Sequence, residues 1–209
     1  MLSGKSKVVG VIGNPVSHSA SPIIHNAAYD YLGLDYVYIP LLVELENLEV
    51  AMSSIRALNL RGVNVTVPYK EAVIPFLDEL SPEAKDTQSV NTIYLQNGIT
   101  IGHNTDIAGF ELAIKYAKYD VSNKEIFVLG AGGVAPSIIY SLKKMKASKI
   151  ILSNRTKEKA QSLKDLFKDI EIIDWGERID FDMIINATSI GLKNEEGLNF
   201  DYSANGPDK

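Results

Sequence analysis

The residues best suited to chemistry in this chain stand just after extended, β-branched runs. Asn64-Val65-Thr66-Val67-Pro68-Tyr69-Lys70 is one such run, closed by a proline, with a lysine at what reads as the mouth of the next helix. A free lysine titrates near ~10.4, so burial or a neighbouring charge must tune it before it works as an acid near neutrality. Asp106, in Asn104-Thr105-Asp106, sits where a turn meets a helix and would complete an acid–base pair with Lys70. By spacing alone a solvated lysine and a helix-capping aspartate are the plainer reading of the two. Ser19 and Ser21 follow another apolar run, Val8 to Ile12.

A second constellation concerns phosphate. Gly130-Ala131-Gly132-Gly133-Val134-Ala135 fits the pattern G-x-G-x-x-G/A between a predicted strand, Glu125 to Leu129, and a predicted helix. The first glycine permits the tight turn, and the second lets backbone approach a pyrophosphate resting on the helix N-terminus. About twenty residues on, where Asp or Glu would bind a ribose 2′-hydroxyl, the chain has Asn154-Arg155-Thr156, with Lys157 and Lys159 close behind. Cations there suit a 2′-phosphate and favour NADP over NAD. A solvated basic helix start is the plainer alternative. A nicotinamide cofactor implies hydride transfer to or from a carbon bearing oxygen, and the alkoxide formed needs a proton donor such as Lys70.

The positioning elements follow from periodicity. Val8–Ile12 reads as a buried strand closed by Gly13, Asn14 and Pro15. Ser21 followed by Pro22 predicts a hydroxyl N-cap and a helix whose face is Ile23, Ala27, Tyr31 and Leu34, stopping near Gly33. Tyr36–Leu42 is a strand, and Leu45, Leu48, Met52, Ile55 and Leu58 recur at helical spacing. Gly62–Val67 is a third strand, and Lys70–Leu77 is expected to be a short helix. Asn97-Gly98 between two extended runs predicts a hairpin. Alternating strands and helices predict a mostly parallel sheet with right-handed crossovers, whose ligands lie at the carboxyl ends of strands. The pattern restarts after the polar segment Lys118–Lys124. The α/β chain is therefore divided into residues 1–118 and a Rossmann-like domain over 119–209, with about four strands in the second sheet.

Bulk properties narrow the function classes. At roughly 100–200 residues per domain, 209 residues make one large domain or two small ones. A net charge of -5 excludes the basic footprint of sequence-independent nucleic-acid binding. No apolar run approaches the ~20 residues of a membrane span. The chain has no cysteine, which removes disulfides, thiolate zinc sites and cysteine nucleophiles and fits a reducing cytoplasm. His18, His25 and His103 show no short metal-ligand spacing, so no metal is expected.

Several separated motifs together resemble the shikimate dehydrogenase family, including its quinate/shikimate relatives. They are Ser-His-Ser-Ala-Ser-Pro (17–22), Asn-Val-Thr-Val-Pro-Tyr-Lys (64–70), Val-Asn-Thr (90–92), Gly-His-Asn-Thr-Asp (102–106), the loop 130–135, Asn-Arg-Thr (154–156) and Asn-Ala-Thr-Ser-Ile-Gly-Leu (186–192). The resemblance implies a cytoplasmic enzyme, monomer or homodimer. It would reversibly reduce 3-dehydroshikimate to shikimate with NADP, a step of chorismate and aromatic amino acid biosynthesis. By motif match, Ser19 and Ser21 would bind the substrate carboxylate, and Asn64, Thr66, Asn91 and Asp106 the ring hydroxyls. Lys70 and Asp106 would be the catalytic pair. Gly130, Ala131, Gly132, Gly133, Val134 and Ala135 would hold the pyrophosphate, and Asn154, Arg155, Thr156 and Lys159 the 2′-phosphate. The segment from Asn186, with Thr188, would border the nicotinamide.

Lys159 stands where family members often carry a second arginine, which keeps the charge and loses bidentate geometry. The resemblance also implies further strands, a tyrosine-bearing substrate segment and a glutamine-bearing helix beyond Lys209. A chain ending there is expected to be poorly stable or inactive. The competing expectations are a non-catalytic module that binds shikimate or NADP, and a quinate dehydrogenase using NAD.

Overall fold

The structure, a computed structural model, describes residues 3–177 and 179–191; Leu192 of the last motif and the tail from Lys193 lie outside them. Packing divides the chain into two compact units, Met1–Thr105 and Asp106–Lys209. The division falls before the expected boundary at 118/119. Helix α4 (Asp106–Tyr116), which looked like the end of the first domain, packs on α5 (Ala135–Lys144). Its Ile114 is buried with Ile138, Ile139 and Leu142, and its Glu111 pairs with Lys144 at 3.0 Å. The polar segment after it is only the loop leading to the next strand.

In the first unit, β1 (Lys7–Gly13), α1 (Ser21–Leu32), β2 (Tyr36–Leu42), α2 (Leu48–Ala57) and β3 (Gly62–Val65) alternate as expected. Then come β4 (Glu79–Leu80), α3 (Pro82–Thr87), β5 (Thr92–Gln96) and β6 (Ile99–His103). The sheet order is β2-β1-β3-β5-β6-β4. β1 is parallel to β2 and β3, and the β5–β6 hairpin turns at Asn97 and Gly98, both with positive φ. β5 is antiparallel to β3, so the sheet is mixed. Leu48, Met52 and Ile55 of α2 bury against Ile12, Val63, Val65 and Ile93.

Three local expectations change. Helix α1 begins at Ser21, so Ser21 is its first residue rather than its cap; Ala20 holds that place with no side-chain bond. The expected apolar face of α1 is not a core face, since Ile23 is 77% and Tyr31 90% exposed. Instead Asn26 docks the helix by donating to the Tyr38 carbonyl and accepting from the Tyr38 N–H, each at 2.9 Å. Residues 70–77 do not form an α-helix. Lys70 lies in a run of turns that ends in a 3-10 turn, Ile74–Phe76. The buried Tyr69 directs that path, because its phenol donates to the Val43 carbonyl at 2.6 Å.

The second unit holds β7 (Glu125–Leu129), β8 (Lys149–Ser153), α6 (Lys157–Phe167), β9 (Glu171–Ile173) and β10 (Met183–Asn186). Its four strands run parallel in the order β10-β7-β8-β9. β7 is buried on both faces: Ile126 and Val128 join the cluster with α5 and α6, while Phe127 and Leu129 meet Ile151 and Phe181. A strand covered on both sides reads as a continuous apolar run.

Candidate active site

The sheet of the first unit brings four strand ends to one edge. β1 and β3 are parallel neighbours, so the loops after both emerge on the same side. Because β5 runs antiparallel to β3, its start lies beside the end of β3, with Asn64 opposite Thr92. β6 then returns, placing His103 opposite Thr92. Ser19, Ser21, Asn64, Thr66, Lys70 and Asn91 all belong to these ends. The backbone ties the loops together: Thr66 N–H donates to the Ile12 carbonyl at 2.9 Å, and Asn14 N–H to that of Val67 at 3.1 Å. The Thr66 side chain fills the space a Cβ on Gly13 would occupy, within 2.4 Å of its Cγ2. Val90 N–H donates to the Lys70 carbonyl at 2.8 Å, which fixes the lysine backbone beside Asn91.

Most polar groups here are already engaged with one another. Ser19 Oγ accepts from Ser21 N–H at 3.3 Å. Asn64 Oδ1 accepts from the Tyr38 phenol at 2.7 Å, and its Nδ2 donates to Thr92 Oγ1 at 3.1 Å and to the Asn91 carbonyl at 3.3 Å. Asn91 Oδ1 accepts from Thr105 N–H at 2.9 Å, and its Nδ2 donates to Thr105 Oγ1 at 2.9 Å. Asn91 therefore holds the residue immediately before Asp106. Asn64 has both amide protons in use and presents a scaffold more than a free donor. Lys70 is half-buried in the first unit, and Asp106 is the first residue of α4 in the second.

Three residues in this network carry no sequence-level assignment: Tyr38, Thr92 and Thr105. Thr92 and Thr105 lie inside motifs already singled out. Tyr38 carries no such mark: it lies on the edge strand β2, and burial pushes its phenol up to about 12. Tyr38, Asn64 and Thr92 also line an open groove of about 460 Å³ that reaches His25 and Tyr29 of α1.

The second unit builds the phosphate loop. Gly130 has φ +102, and a Cβ there would come within 2.9 Å of the Ala187 backbone and 2.8 Å of Thr188 Cγ2. Its N–H donates to the Ser153 carbonyl at 2.8 Å. Gly132 is exposed, and a Cβ there would have nothing nearer than Ala187 O at 3.8 Å. The loop thus leaves open the surface a pyrophosphate needs, at the N-terminus of α5, and its residues fit a dinucleotide. Helix α5 starts at Ala135, with Val134 as its cap.

Asn154 accepts from Ala131 N–H at 3.0 Å and donates to the Thr156 carbonyl at 2.8 Å, so it joins the glycine loop to the basic turn. Arg155, Thr156 and Lys159 are exposed beyond β8. Lys157 is drawn off to Asp174 at 2.7 Å, a hydrogen bond that raises its titration. Thr188 is held in a turn by Asn186, whose Oδ1 accepts from its N–H at 3.0 Å and from its hydroxyl at 2.6 Å.

Comparison with known proteins identifies the family. The profile of the shikimate dehydrogenase substrate binding domain matches residues 11–93, and that of shikimate / quinate 5-dehydrogenase matches 111–191. A shikimate dehydrogenase (NADP(+)) of Pelagibacter ubique is 51% identical over 199 residues, covering 95% of this chain and 75% of that protein. The crystal structure of shikimate dehydrogenase from Aquifex aeolicus superposes with a TM-score of 0.91 at 42% identity, covering 97% of this chain and 76% of that one. The Thermus thermophilus enzyme, solved with NADP(H) and shikimate, gives 0.80 at 34% identity, covering 89% and 70%. With two domain profiles in order and half its residues identical to one relative, the chain belongs to the shikimate dehydrogenase family.

Proposed function

We propose that the protein catalyses the reversible NADP-linked reduction of 3-dehydroshikimate to shikimate, a step of chorismate biosynthesis. The observation that carries the reading is the 51% identity to an NADP-dependent shikimate dehydrogenase, in a chain that keeps both the lysine turn after β3 and an open phosphate loop after β7. When bound, the nicotinamide supplies the hydride in one direction and takes it in the other.

The protein's own residues do the rest. Ser19 and Ser21 bind the substrate carboxylate through their hydroxyls. Thr66, Asn91 and Asp106 hold ring hydroxyls, and Asn64 acts through its remaining lone pair and through the neighbours it fixes. Lys70 donates a proton to the alkoxide oxygen as the ketone is reduced, and accepts it in reverse, with Asp106 as its charged partner. Gly130, Ala131, Gly132, Gly133, Val134 and Ala135 cradle the pyrophosphate. Arg155, Thr156 and Lys159 bind the adenosine 2′-phosphate on a turn shaped by Asn154, and Thr188 borders the nicotinamide. The first unit is then the substrate unit and the second the cofactor unit.

Steady-state rates with shikimate or quinate, each with NADP⁺ or NAD⁺, test this reading. The highest kcat/KM is expected with shikimate and NADP⁺. A preference for quinate with NAD⁺, or binding of shikimate without turnover, would refute it.

A further inference from the structure

We propose that Tyr38 is a positioning residue for substrate binding: its phenol anchors Asn64, and through Asn64 the polar network around the candidate site. The inference rests on the functional reading above, which places Asn64 at the substrate. Tyr38 itself was singled out by no motif.

The geometry holds the phenol from several sides. Tyr38 is 3% exposed, and its ring stacks on His25 with centroids 4.3 Å apart and planes 3° from parallel. Its backbone N–H and carbonyl are both bonded to the Asn26 side chain. The phenol oxygen therefore has little freedom. Its proton goes to Asn64 Oδ1 at 2.7 Å.

That bond anchors the oxygen end of the Asn64 amide, while the Asn91 carbonyl and Thr92 Oγ1 take its nitrogen end. Thr92 Oγ1 accepts from Asn64 and donates to Asn91 Oδ1 at 3.0 Å, and Asn91 Nδ2 donates to Thr105 Oγ1. Hydrogen bonds thus connect Tyr38 through Asn64, Thr92 and Asn91 to Thr105. Removing the phenol oxygen leaves Asn64 Oδ1 without its donor, so the amide is held from the Nδ2 side alone. The ring would still fill its place.

Tyr38→Phe is the test, because it keeps the stacking and the burial. The KM for shikimate is expected to rise about tenfold, the size of one ordinary hydrogen bond. The KM for NADP⁺ and kcat should stay within about twofold of wild type, since neither the phosphate loop nor Lys70 is touched. A purely structural tyrosine would lower the active fraction and hence kcat, without moving one KM alone. Should Tyr38→Phe fail to fold, Thr92→Val breaks the same chain further along and is expected to show the same split. An unchanged shikimate KM, or both KM values rising together, overturns the proposal. A wild-type protein that neither binds nor turns over shikimate overturns the functional reading and this proposal together, whereas an active wild type with an unmoved variant overturns this proposal alone.

Discussion

Two glycines two residues apart should respond to the same substitution in opposite ways. Gly130→Ala forces a side chain onto a backbone at φ +102, with its Cβ 2.9 Å from the Ala187 carbonyl carbon and oxygen. The unfavourable φ costs about 1–3 kcal/mol. The backbone contact adds about 1–3 kcal/mol, as for other overpacked sites. In a unit of roughly 100 residues each kcal/mol moves Tm by about 4–8 °C, so Tm should fall by at least about 8 °C. Gly132→Ala meets nothing nearer than 3.8 Å and should leave Tm almost unchanged. Its methyl instead projects where a pyrophosphate would approach the loop. Losing one charge-assisted hydrogen bond costs about 1.5–3 kcal/mol, or roughly ten- to hundredfold in NADP⁺ affinity. Differential scanning calorimetry and NADP⁺ titration calorimetry separate the two effects. A Gly130→Ala protein with wild-type Tm, or a Gly132→Ala protein with wild-type NADP⁺ affinity, would refute the account of the loop.

Other substitutions probe each unit separately. Arg155→Ala should raise the KM for NADP⁺ about tenfold or more while leaving that for NAD⁺ nearly unchanged, because only the former carries the 2′-phosphate; steady-state kinetics with both cofactors check this. Asp78 accepts from the Thr100 hydroxyl and N–H, each at 2.7 Å, and pairs with Arg56; these bonds hold its carboxyl below the usual range, the Thr100 hydroxyl contributing most. A carboxylate lowered in this way stabilises the folded state above its unfolded pKa and loses that contribution as pH falls through the folded value. Asp78→Asn should therefore lower Tm at neutral pH, and the gap to wild type should close in acid; thermal melts across pH read both.

Much of this architecture was legible because its signals are local. Gly33 closes α1 with φ 64, and Asn97-Gly98 makes the hairpin, each from the conformational freedom of those residue types. The glycine loop was recognisable between its strand and helix, and β7 through its unbroken apolar run. Non-local bonds were not legible. The turn carrying Lys70 reads as helix until the Tyr69 phenol is seen to reach Val43. Ser21 followed by Pro22 reads as a cap, although the helix already includes the serine. The boundary was misplaced because a polar loop looked like a linker, while the packing of Ile114 decides where α4 belongs. Tyr38 stayed hidden because its partners lie far along the chain, Asn64 being 26 residues away. The candidate site motifs are scattered along the sequence; only the strand order explains why four strand ends meet.

The central claim is that a lysine in the turn after β3 moves the proton in an NADP-linked oxidation of shikimate. The kcat of Lys70→Ala with shikimate and NADP⁺, both saturating, tests it most directly. The account predicts a loss of about 10²–10⁴-fold, the usual contribution of a positioned acid–base group, with NADP⁺ affinity retained. A variant that turns over shikimate at the full wild-type rate would contradict it.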